Sequence, residues 1–162
     1  PRPSSRPIFR NLSQQLPSIF NAVVGRSVSN IQDGRERIYS IRDVRSPASC
    51  SIEIRDATRL NERGNPALWW SEEDTQSFSL QSARVSLAPE GTVSRLTLRT
   101  DTRVIRLERT FLSSNLWTDA SLPRSGNRVE FVDTVIFDMP PGVEANRVFE
   151  SLRDAISECS RG

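Results

Sequence analysis

Histidine and lysine are both missing from this chain, whose 22 basic residues are all arginine. Without imidazole, every serine–histidine triad and every histidine metal site is excluded. Without an ε-amine there is no Schiff-base chemistry, no lysine-activated serine and no phosphate-loop lysine. Arginine stays protonated and cannot act as a general base. Proton transfer therefore falls to 20 carboxylates, one tyrosine and two cysteines. Glycine-rich phosphate loops, nucleophile elbows and dinucleotide fingerprints are absent, and no acidic or cysteine spacing matches a known metal site. The sequence calls for no cofactor and reads as non-enzymatic. It also lacks an apolar run long enough to cross a bilayer, so no transmembrane segment is expected. It begins at Pro1 with no signal-like segment, which is expected to reflect earlier trimming.

What is present fits one domain spanning 1–162, with 36% hydrophobic and 26% charged residues. A net charge of +2 is only mildly basic and far from the profile of a nucleic-acid binder. The most legible stretch is the last. Val143, Ala145, Val148, Phe149, Leu152, Ala155, Ile156 and Cys159 recur at helical spacing with charged residues between them. That pattern predicts a one-sided helix over 142–160. A second apolar helical face, Leu12, Leu16, Ile19, Phe20, Val23 and Val24, predicts a helix over 9–25 behind a proline- and arginine-rich arm, 1–8. Residues 27–36 read as a polar loop with a turn at Asp33-Gly34.

Between the helices the apolar period drops to two, predicting an antiparallel β-body over 37–138 of about seven strands. Residues 37–44 and 50–57 form a pair, and 83–88, 93–100 and 103–111 a meander. Pairing across its turns sets Leu98 opposite Ile105, Leu96 opposite Leu107 and Val85 opposite Leu96. The last strand, 128–138, is interrupted by Asp133. The expected architecture is α+β: a bent β-sandwich or open barrel closed by the final helix. Phe78-Ser79-Leu80 before the meander, Val129-Glu130-Phe131 in the last strand, and a helix from Ala145 ending at Cys159 carry a resemblance. The chain resembles the pleckstrin-homology-like fold and is similar to small secreted bacterial domains of unknown function. The resemblance implies a periplasmic or secreted location and a disulfide from the helix cysteine to one on an early strand, a role Cys50 fits. From the residues alone, Cys50 and Cys159 are either two buried thiols or one disulfide, since both sit on inward-facing sets.

Three constellations are candidates for function. Arg84, Arg95, Arg99 and Arg106 would share the outer face of the meander, Arg95 beside Glu108, as a patch for an anionic ligand or lipid head group. Trp69, Trp70 and Trp117 would form an aromatic platform for a sugar or peptide. Asp133, and the run Glu72-Glu73-Asp74 read as an exposed loop, are the carboxylates a hydrolase would need. The first expectation is an extracytoplasmic binding or assembly module, holding another protein or an envelope component on a sheet face or strand edge. An anionic-ligand binder comes second and a carboxylate hydrolase third.

Overall fold

The computed structural model describes residues 15–161, so the expected arm and the start of the expected first helix lie outside the described residues. Helix α1 (15–19) passes through turns to Gly25, whose left-handed backbone (φ 80°) ends the segment where glycine costs least. The β-body follows as β1 (Ser27–Gln32), β2 (Arg35–Arg45), β3 (Ser51–Glu62), β4 (Trp69–Ser79), β5 (Ala83–Glu90), β6 (Val93–Thr100), β7 (Ile105–Ser113), β8 (Ser125–Val132) and β9 (Thr134–Met139). Helix α2 (Val143–Arg161) closes the chain. The strands form a six-stranded sheet ordered β1-β2-β3-β4-β7-β8 and a three-stranded sheet ordered β5-β6-β9. Every pairing is antiparallel and neither sheet closes into a barrel.

The main core lies between the inner faces of the sheets, and α2 seals it, packing chiefly on β5 and β6. From α2 it takes Ala145, Val148, Leu152, Ala155 and Cys159, the predicted stripe, while Val143 at the helix start stays exposed. Leu16, Phe20 and Val23 close another side. Each fully buried Leu, Val or Phe contributes about 1.5–3 kcal/mol over its exposed state. Cys50 and Cys159 are joined in a disulfide across 109 residues, fixing the last turn of α2 to the β2–β3 connection. A loop of that length corresponds to about 4–5 kcal/mol in the chain-entropy model. A second, smaller core of Trp70, Phe111 and Trp117, with Leu60, Leu68 and Leu122 against it, sits beneath the β7–β8 loop.

The structure differs from the sequence expectations at five places. Residues 27–36 are not a loop: β1 and the start of β2 form a hairpin, with Asp33 and Gly34 both left-handed (φ 54° and 76°) as a type I′ turn requires. Residues 72–74 lie inside β4, not on a loop. The 93–111 hairpin does not form, because β6 and β7 belong to different sheets: β6 pairs with β9, and β7 with β4 and β8. In the β5–β6 hairpin Val85 faces Leu98 and Leu87 faces Leu96, two residues from the expected register. The stretch 128–138 is two strands, and at Asp133 the chain leaves the larger sheet for the smaller. Asp133 is exposed there; its carbonyl accepts from the Thr100 amide at 2.9 Å and its carboxylate from the Thr134 hydroxyl at 3.0 Å.

Candidate functional site

Alternation along the strands gives the six-stranded sheet two chemically distinct faces. On the outer face, one cross-strand row runs Ser27, Ser40, Ala57, Glu73, Thr110, Asn127, each paired with the next. Five of these six are short or neutral polar residues, so the row is low. One flank runs Ser29, Ile38, Arg59, Ser71, Leu112, Ser125 and rises at Ile38, Arg59 and Leu112; the other runs Arg55, Thr75, Glu108, Val129 and rises at all but Thr75. A β-bulge at Arg42 adds one residue to β2 and shifts its phase, which is why Tyr39, Ile41 and Val44 all reach the core.

The result is a trough. A hollow of about 380 Å³ is lined by Ser27, Ser40, Ala57, Glu73 and Thr110, with Ile38, Arg42, Arg59, Ser71 and Leu112 around them. A neighbouring hollow of about 560 Å³ shares Ile38 and Arg59 and continues to Arg63 and Pro66. At a strand spacing of ~4.8 Å, six strands carry the low row over roughly 24 Å. Thr110 and Asn127 are bonded to each other at 2.9 Å, which fixes that end of the floor.

The inner face carries a buried polar band between the two cores. Asp56 accepts hydrogen bonds from the Tyr39 hydroxyl and, at 3.2 Å, from the Gln76 side-chain amide. Burial pushes the Asp56 carboxyl up to about 6, against the opposing pull of those two donors. Asp74 stands directly opposite Asp56, and burial, then the charges of Glu72 and Asp56, push it up to about 8. Arg109 lies beside them: Nε is 3.4 Å from Glu72 and 4.0 Å from Asp74, and Nη1 is 3.3 Å from Glu130. One guanidinium thus lies within 4.0 Å of three carboxylates, while Asp74 Oδ1 and Arg109 Nε are buried without a hydrogen-bond partner among the described residues. Further along, Asp138 of β9 receives Arg37 at 2.7 Å and Arg95 at 3.1 Å, tying the two sheets together. Among the described residues no group of three or more acidic or cysteine side chains is arranged to hold a metal ion.

The four candidate arginines are not brought together. Arg84, Arg95 and Arg99 share the outer face of the three-stranded sheet, with Arg84 and Arg99 directly opposite each other. Arg106 lies on the other sheet, opposite Ser77 and Phe131. Arg95 is held by Asp138 and by Glu90 at 2.7 Å, not by the expected Glu108. Glu108 pairs with Arg106 at 3.0 Å, and Arg84 with Asp101 at 2.9 Å.

The tryptophans separate as adjacent strand positions must. Trp70 turns inward and donates to the Pro123 carbonyl at 2.8 Å, and Trp117 is buried beside it. Arg35 lies 4.8 Å over the Trp117 ring while bridging Glu62 and Asp119, both at 2.7 Å. Trp69 faces outward, partly exposed, with Arg59 stacked 4.8 Å over its ring. A common exposed platform of all three is therefore not formed. Sequence reasoning missed the low row, whose signal exists only once the register aligns Ser40, Ala57 and Thr110. It also missed Asp56, although its position two residues beyond Ile54 in an inward-facing set marked it. No family model, curated protein or solved structure matches the chain.

Proposed function

We propose that this protein is a non-enzymatic, extracytoplasmic binding module that holds a neutral saccharide chain of the envelope in the trough on its outer sheet face. The observation that carries this reading is the low cross-strand row, with its hydroxyls and amide and the single charge of Glu73. A chain of sugar hydroxyls finds donors and acceptors along such a floor, and Ile38 and Leu112 offer apolar contacts beside it. The disulfide supports an oxidising compartment, periplasmic or secreted. Asp56 is already held by Tyr39 and Gln76, and Glu72 by Arg109, which favours a structural role for these carboxylates over a hydrolytic one. The two-sheet body closed by α2 remains consistent with a pleckstrin-homology-like arrangement, with a larger first sheet.

The test is retention on immobilised neutral polysaccharides, comparing wild type with Ala57→Phe, which raises the trough floor without adding charge. Wild type is expected to be retarded and the variant to elute at least tenfold less retained. Equal retention of the two would overturn the proposal. The alternative is an anionic ligand at the opposed Arg84 and Arg99 side chains. Binding to polyanions alone, lost in Arg84→Ser/Arg99→Ser, would replace the trough reading with that one.

A further inference from the structure

The edges of the two sheets are not equally protected among the described residues. β5 carries Pro89 and lies against α2, while β1 and β9 touch each other. β8 is the last strand of the larger sheet, pairs with β7 along its whole length without a bulge, and has its principal contacts with β7 alone. Its outward side chains Val129 and Phe131 are 51% and 56% exposed, beside Glu108 and Arg106 on β7. An unpaired strand edge next to exposed apolar side chains is a template for another strand.

The sequence of β8 selects which strand. Placing a second β8 antiparallel to the first, with the two-fold axis through Val129, sets Arg128 opposite Glu130 of the other copy and Glu130 opposite its Arg128. Both pairs fall on the inner face. On the outer face Val129 meets its own counterpart, and Phe131 lies diagonally across it, within reach of an aromatic ring. These charges penalise an arbitrary strand and match a second copy of this one. Among the described residues Arg128 makes no ion pair and lies 5.7 Å over the Phe111 ring, whereas Glu130 meets Arg109 of its own chain at 3.3 Å and is shared with the partner's Arg128. We infer that the protein forms a two-fold symmetric dimer by antiparallel β8–β8 pairing about Val129, with two Arg128–Glu130 contacts across the axis. The two six-stranded sheets then join into one of twelve. This pairing stands independently of the ligand in the trough.

One strand edge buries less than a standard interface, so the dimer belongs to the micromolar class. Sedimentation velocity from about 5 to about 500 μM brackets that range. Wild type is expected to pass from monomer to dimer across it, and hydrogen exchange of the β8 amides is expected to slow as concentration rises. Arg128→Glu, which breaks no ion pair among the described residues, is expected to weaken dimerisation at least tenfold. Arg128→Glu/Glu130→Arg also removes the Glu130–Arg109 contact, which the new carboxylate at position 128, directly opposite Arg109, replaces, and it is expected to restore dimerisation to within about threefold. A wild type that stays monomeric throughout overturns the inference, as does a dimer indifferent to Arg128→Glu or one whose β8 amides exchange at a concentration-independent rate. Failure of the double variant to recover, with its fold intact by near-UV circular dichroism, overturns the register.

Discussion

Desolvation dominates the chemistry of single residues here. Asp56 and Asp74 are raised because burial disfavours their charged forms, and Asp74 is raised further by the neighbouring carboxylates. A carboxyl whose pKa is higher folded than unfolded binds its proton more tightly in the native state. Its contribution is complete below the unfolded value near 4 and declines as pH rises through the folded one. Thermal stability is therefore expected to fall between about pH 5 and pH 8, by a few degrees in Tm. Asp119 acts in the opposite sense: the hydroxyl of Ser121 and then Arg35 hold it down to about 2, so its contribution is lost only in strong acid. Asp74→Asn keeps the shape and removes the titration. Its melting temperature is expected to be flatter across that window than the wild type's; an unchanged slope would place the proton elsewhere.

Elements were legible wherever the pattern was set by the strand or helix itself. The stripe of α2 follows from a 3.6-residue period, and it is buried where that period puts it, at Val148, Leu152 and Ala155. Leu152→Ala is expected to cost about 2–5 kcal/mol in urea unfolding, because the site is enclosed and cannot collapse. β1 escaped notice because its faces carry too little apolar contrast to reveal a strand: Ile31 shares one with Ser27 and Ser29, and Val28 the other with Asn30 and Gln32. The 93–111 hairpin was misread for a different reason. Leu96, Leu98, Ile105 and Leu107 all point inward whether β6 and β7 pair or merely face a shared interior, so alternation cannot tell the two apart. What separates them is the irregular stretch 101–104, which has neither the length nor the glycine of a tight hairpin turn. Arg106 parted from Arg84, Arg95 and Arg99 for the same reason: its proximity to them depended on that pairing. The trough floor, by contrast, is a property of six aligned strands, and no single segment contains it.

At the scale of the whole molecule the two sheets meet through buried charge as well as through apolar packing. Asp138, gripped by Arg37 and Arg95, joins β9, β2 and β6, and removing one partner of such a group strands the other. The disulfide acts at the same scale. Cys50 precedes β3 and Cys159 ends α2, so seven of the nine strands lie inside one covalent ring. A single proteolytic nick anywhere on that circuit, for instance in the exposed turn at Arg63-Gly64, opens the circle without dividing it. The clipped protein is expected to migrate as one species in a non-reducing gel and as two fragments once thiol is added. Two bands before reduction would mean that the ring had never been closed.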